Sequence, residues 1–169
     1  AMSNAGQTCT GVERIYVVES VYDEFLAKLS ERARKLKAGY EEEGASYGPI
    51  TMPKQLDIIE RHINDALAKG GRAVVGGPES VRRPFVDPVV LVDVPETSSA
   101  VCEETFGPTV TVAKVKSVDE AIALANATDY GLASTIFSRS RSAIEVARKL
   151  RTGMTSINAA IAFALIPGL

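Results

Sequence analysis

Arg14-Ile15-Tyr16-Val17-Val18, followed at once by Glu19-Ser20-Val21-Tyr22-Asp23-Glu24-Phe25-Leu26, sets the fold class of this 169-residue chain. The first five residues are β-branched or aromatic apart from Arg14 and read as a buried strand. From Val21 the period changes. Tyr22, Phe25, Leu26, Leu29, Ala33 and Leu36 recur three and four apart, which predicts a helix over residues 21–38 capped by Ser20 and ended by Gly39. Its other face is basic, with Lys28, Arg32 and Lys35. A strand that feeds a helix within a few residues is the unit from which α/β proteins are built.

Downstream, the same alternation continues. Gly48-Pro49 is a turn, and Pro53 opens a second helix whose buried face carries Leu56, Ile59, Ile63 and Leu67, with Gly70 beyond its end. Residues 72–75 form a strand closed by Gly76-Gly77-Pro78. Residues 86–94 alternate around Pro88, which marks an edge or a strand start rather than a central strand. Residues 110–115 are a further strand. Ser117-Val118-Asp119-Glu120 is a capping-box pattern that starts a helix through Ala125. A strand over 133–137, a helix capped by Ser140 with Ile144, Ala147 and Leu150 inward, and a strand over 155–158 complete the series. The expected architecture is α/β with a largely parallel sheet and flanking helices, in one domain over residues 1–169.

Composition narrows the partners. Hydrophobic residues make up 46% and charged residues 24%, which excludes disorder and collagen-like repetition. The 19 Lys+Arg and 21 Asp+Glu are interleaved to a net charge of −2, so neither nucleic acid nor an anionic membrane surface is an expected partner. Glu41-Glu42-Glu43 is a solvated turn. The apolar C-terminal stretch from Ile157 to Leu169 is too short to span a bilayer and carries Asn158 and Pro167, and the N-terminus has no signal-peptide pattern. Two cysteines and one histidine make neither a disulfide framework nor a zinc site, so no metal is expected and a reducing, cytoplasmic setting fits.

Three segments bear on chemistry. Cys9 lies in Asn4-Ala5-Gly6-Gln7-Thr8-Cys9-Thr10, a polar loop whose backbone N–H groups can favour a thiolate and later hold an oxyanion. On local pattern this is either a nucleophile or an ordinary loop thiol, because no histidine lies nearby. Cys102 reads as a small buried hydrophobe. Glu103-Glu104-Thr105-Phe106-Gly107-Pro108 offers two adjacent carboxylates, suited to acid/base work, to binding sugar hydroxyls, or to a solvated turn. The glycine pairs of residues 70–77 flank a strand rather than follow one, so they are turn chemistry. His62, mid-helix beside Arg61, reads as a surface histidine.

Asn4 to Cys9, with Arg14 five positions on, resembles the nucleophile motif N-x-G-Q-x-C-x-x-x-x-R of the NAD(P)-dependent aldehyde dehydrogenases. Residues 103–108 resemble that family's E-E-x-F-G-P signature, about ninety residues later, and Asn126-Ala127-Thr128-Asp129-Tyr130-Gly131-Leu132 resembles its N-x-x-x-Y-G-L stretch. Met2 and Thr109 stand where the family usually has Phe and Val. The resemblance implies that Cys9 attacks an aldehyde to give a thiohemiacetal, that hydride passes to NAD or NADP, and that the thioester is hydrolysed to a carboxylic acid. It implies that the Cys9 N–H helps hold the oxyanion, that Glu104 binds the nicotinamide ribose, and that Phe106 packs beside the nicotinamide. The family's dinucleotide-binding domain, deacylating glutamate and oxyanion asparagine are expected upstream, and its oligomerisation strand downstream. Residues 1–169 are therefore expected to be the catalytic domain of a homo-oligomeric parent, truncated at both ends and inactive alone. A CoA-acylating enzyme, a non-catalytic scaffold and a redox-sensing Cys9 are the alternatives.

Overall fold

A computed structural model describes residues 1–159; the remainder of the apolar C-terminal stretch, with Pro167, lies outside the described residues. The chain divides into two compact units, Ala1–Lys114 and Val115–Leu169.

In the first unit, β1 (Arg14–Val18), β2 (Arg72–Val75), β5 (Val89–Val92) and β6 (Thr109–Val115) form a sheet of order β1-β6-β5-β2. Strands β5 and β6 are parallel, with Val89 opposite Thr109 and Val92 opposite Val112. Strand β2 joins β5 antiparallel, with a register shift between Ala73 and Val75. All four residues of β5 are buried, as a central strand covered on both faces requires. Its side chains alternate between two cores. Val89 and Leu91 pack with Leu56, Ile59, Ile63 and Ala66 of α2 (Pro53–Ala68), whereas Val90 and Val92 pack with Tyr22 and Ala33 of α1 (Glu19–Arg34). The two helices thus cover opposite faces of the sheet, and the expected α/β architecture is the one the chain adopts.

Several boundaries differ from the sequence reading, each for a local reason. Helix α1 starts at Glu19, so Ser20 lies in its first turn, and it ends at Arg34. Beyond it the backbone turns to another partner: Ser46 N–H donates to Lys37 O at 2.7 Å and Gly39 N–H to Tyr47 O at 3.1 Å. Against the expectation from sequence, Pro88 lies just before a central strand, since β5 runs between β2 and β6; the proline sits outside the ladder and so removes none of its donors. Just before it, β3 (Val81–Arg82) and β4 (Phe85–Val86) form a small hairpin. Helix α2 ends as expected, with Gly70 at φ +96° and Gly71 N–H returning to Ala66 O at 2.9 Å. Helix α3 (Ser99–Cys102) is a single turn capped by Ser98.

In the second unit, the Ser117 hydroxyl accepts from Glu120 N–H at 3.1 Å and caps α4 (Val118–Asn126). The Glu120 carboxylate reaches back to Lys116 N–H at 2.7 Å, one residue before the usual donor of a capping box. Strands β7 (Ala133–Ile136) and β8 (Met154–Ile157) pair in parallel on either side of α5 (Ala143–Lys149). Helix α5 begins at Ala143, and Ser140 accepts from Ser142 N–H ahead of it. Its inward residue is therefore Ala143, and Ile144, expected inward, is exposed. No helix among the described residues is long and apolar enough to cross a membrane.

Candidate active site

The loop before Cys9 begins with an unusual backbone. Asn4, Ala5 and Gly6 follow one another at φ +52°, +57° and +71°. The left-handed region costs a residue with a Cβ about 1–2 kcal/mol, so Ala5 in particular must be held there by its surroundings. Part of the hold is local. Gln7 N–H donates to Asn4 O at 3.1 Å, the Asn4 side-chain amide donates to Gln7 O at 3.1 Å, and Thr8 N–H donates to Gly6 O at 2.9 Å. The rest comes through Gln7, whose amide nitrogen donates to Pro49 O at 3.1 Å while its oxygen accepts from Thr51 N–H at 2.8 Å. The Cys9 thiol is exposed at the end of this loop, and among the described residues nothing accepts from the Cys9 N–H. An exposed thiol beside an uncommitted N–H has the parts that a nucleophile and its oxyanion need.

Gly6 also explains how the loop meets the second motif. A Cβ at Gly6 would lie 1.9 Å from Gly107 O, so the two backbones touch at a point only glycine permits. Gly107 in turn lies against Ile59 of α2, 2.6 Å from a built Cβ to Cδ1.

The turn over residues 103–108 is held by side chains from elsewhere in the chain. Gln55 donates to Thr105 O at 2.7 Å. His62 Nδ1 lies 3.0 Å from Thr105 Oγ1, and its Nε2 lies 3.4 Å from Glu103 Oε2. Arg61 grips the same carboxylate with both terminal nitrogens, at 2.7 and 3.3 Å. From the other side, the Glu13 carboxylate accepts from Thr105 N–H and Phe106 N–H, each at 2.8 Å. Phe106 sits at φ +48° and is half-buried.

These contacts separate the two adjacent carboxylates. Glu103 is an anchor, held below the usual carboxylate range first by the Arg61 hydrogen bond. Glu104 is exposed, and its carboxylate accepts no hydrogen bond among the described residues. Two oxygens in one plane, free of protein partners, suit a vicinal diol such as that of a ribose. Burial raises the Glu13 carboxyl, its two amide donors act against that shift, and Glu104 adds to it.

Two sequence readings are corrected. His62 is only 1% exposed, not a surface histidine. It lies three residues after Ile59 and four before Ala66, on the face that α2 turns to the core, and that spacing was the missed signal. Burial, then Arg61, push its pKa down. Cys102 is exposed rather than buried, because the one-turn α3 spends its buried positions on Ser99, Ala100 and Val101. Its thiol donates to Glu96 O at 2.8 Å. Glu13 and Gln55 drew no attention in the sequence, since their partners lie ninety-two and fifty residues away. Arg14 of the first motif donates to the Tyr16 hydroxyl at 3.2 Å, which in turn donates to Glu96. Burial pushes that hydroxyl up to about 12.

Comparison with known proteins gives a consistent result. Residues 1–166 match the profile of the aldehyde dehydrogenase family. The chain is 42% identical over 157 residues to glutarate-semialdehyde dehydrogenase of Pseudomonas putida, covering 92% of this chain and 32% of that protein. It is 40% identical over 161 residues to the NADP(+) succinate-semialdehyde dehydrogenase of Escherichia coli, covering 94% and 33%. A point mutant of betaine aldehyde dehydrogenase from Staphylococcus aureus, solved with NAD+, superposes with a TM-score of 0.85 at 34% identity, over 94% of this chain and 34% of that one. The chain spans about a third of the length of the curated relatives it matches.

Proposed function

The chain belongs to the aldehyde dehydrogenase family, and from that premise we propose that residues 1–169 belong to the nucleophile-bearing domain of an enzyme that oxidises an aldehyde to a carboxylic acid. Cys9 is the nucleophile. Its sulfur bonds to the carbonyl carbon, and the carbonyl oxygen becomes an oxyanion beside the Cys9 N–H. The resulting thiohemiacetal loses hydride, and water cleaves the thioester to release the acid. NAD or NADP, when bound, supplies the hydride acceptor. The residues present fit the nicotinamide end of such a cofactor: Glu104 offers its exposed carboxylate to the ribose hydroxyls, and Phe106 offers a half-buried ring from a fixed turn. A short anionic aldehyde is the proposed substrate class, because the relatives at about 40% identity act, by their names, on glutarate and succinate semialdehydes.

One observation carries this reading. The approach of Gly6 to Gly107 brings into backbone contact two motifs that lie about ninety residues apart in sequence, one bearing the thiol and the other Glu104 and Phe106. A scaffold that has lost its chemistry has no need of that contact together with an exposed thiol.

Mass-resolved alkylation of the chain by iodoacetamide, with and without glutarate semialdehyde, tests the proposal. Cys102 is an internal control, being exposed as well. The aldehyde is expected to slow labelling of Cys9 and to leave Cys102 unaffected. Labelling of Cys9 that ignores the aldehyde at saturating concentration overturns the nucleophile assignment.

A further inference from the structure

We infer that Glu13 is a positioning residue that ties the Cys9 loop to the Phe106 turn and sets where Phe106 sits. The inference rests on the roles proposed above for Cys9 and Phe106, and deepens them.

Glu13 lies four residues beyond Cys9 and immediately before β1. Its own position is fixed from β6: Thr111 N–H and the Thr111 hydroxyl both donate to Glu13 O, at 2.9 and 3.2 Å. From that fixed point the side chain delivers one oxygen to each of two consecutive amides. Thr105 N–H meets Oε2 and Phe106 N–H meets Oε1, both at 2.8 Å. Successive N–H groups converging on one anion form a backbone nest, and here the anion belongs to the protein itself. Hydrogen bonds to an ionised acceptor are about twice as strong as neutral ones, which accounts for a non-glycine residue being kept at φ +48°.

The arrangement makes the turn sensitive to one proton. A protonated carboxyl turns one oxygen into a donor, and the amide that faced it loses its acceptor. The charged groups around Glu13 are Glu104 and Arg14. Glu103, Arg61 and His62 hold the opposite side of the same turn. Burial and Glu104 both favour the protonated form, so the clamp opens at a higher pH than an ordinary glutamate would allow.

Two measurements on the chain test this, and neither uses aldehyde or cofactor, so their outcome is independent of the aldehyde-protection experiment. In amide NMR spectra recorded across acidic pH, the Thr105 and Phe106 N–H signals are expected to move together with one midpoint above the ordinary glutamate value. The movement is expected to survive Glu104→Gln and to vanish in Glu13→Gln. The rate of Cys9 labelling by a disulfide reagent active in acid is expected to show an inflection at that same midpoint, absent from Cys102. Amides that do not titrate, or that still titrate in Glu13→Gln, overturn the clamp. An acid profile of Cys9 with no inflection overturns the coupling to the loop. The wild-type titrations need no variant, so the inference stays testable even if Glu13→Gln fails to fold.

Discussion

The Cys9 loop and the turn over residues 103–108 meet at Gly6 and Gly107, yet different means hold them in place. The loop takes its shape largely from its own residues: three successive left-handed positions, short-range hydrogen bonds among Asn4, Gly6, Gln7 and Thr8, and one side chain, Gln7, reaching outward. The turn contributes little to its own shape. Glu13, Gln55, Arg61 and His62, all distant in sequence, hold it from two sides. A loop that is locally encoded can be recognised as a motif. A turn that is held by remote side chains keeps Glu104 free because neighbouring groups take the strain.

The junction is where this difference is broken most severely. Gly6→Ala would force a Cβ to 1.9 Å from Gly107 O, backbone against backbone, in a left-handed conformation, and neither side can yield cheaply. A loss of about 3 kcal/mol or more is expected, seen as a collapse of the urea midpoint. Gly107→Ala presses on the end of the Ile59 side chain instead, which can shift, so about 1–3 kcal/mol is expected. Equal losses from the two would mean that Ile59 is as immovable as backbone.

His62→Leu sharpens the comparison from the turn side. It fills the same core position but leaves the buried Thr105 hydroxyl without its ring partner, at a cost of about 1–3 kcal/mol. The variant should also change the pH dependence. Because the folded pKa of His62 lies below its ordinary 6.5, the unfolded chain binds more protons than the folded chain in the window just below 6.5. Stability from this group is therefore complete above 6.5 and declines as pH falls toward the folded value. His62→Leu should flatten that part of a stability-against-pH curve. A slope unchanged by the substitution would move its origin to another group.

Smaller again is Gln7→Ala, which removes the loop's reach to Pro49 and Thr51 and is expected to cost about 1 kcal/mol by denaturation. Smallest is Arg61→Ala. Its ion pair with Glu103 is half exposed on both sides, and water and salt screen it, so no resolvable change in the unfolding midpoint is expected. A large loss there would show that Glu103 depends on Arg61 more than on His62.

Much of the molecule was legible in its residues. The strand at Arg14, the proline that opens α2, the Gly70 that closes it and the Ser117 cap are short-range features, and each appears where its local chemistry puts it. Cys9, Glu104 and Phe106 were legible as motif positions. His62 was misread because polarity was weighed above its place in the i, i+3, i+4 stripe of α2. Cys102 was misread because a one-turn helix gives no periodicity to follow. Glu13 left no local trace.

The residue order alone determined the α/β class and the alternation of strand and helix, because these depend on steric preferences and periodicities spanning only a few positions. Beyond the motif that singled out Glu104, it did not determine that Glu103 would be an anchor, nor that a histidine and a third glutamate would clamp the turn between them. Those outcomes came from packing α2 on one face of the sheet and seating β1 beside β6. Hydrogen bonds between groups tens of residues apart require positions that exist only once the core has formed.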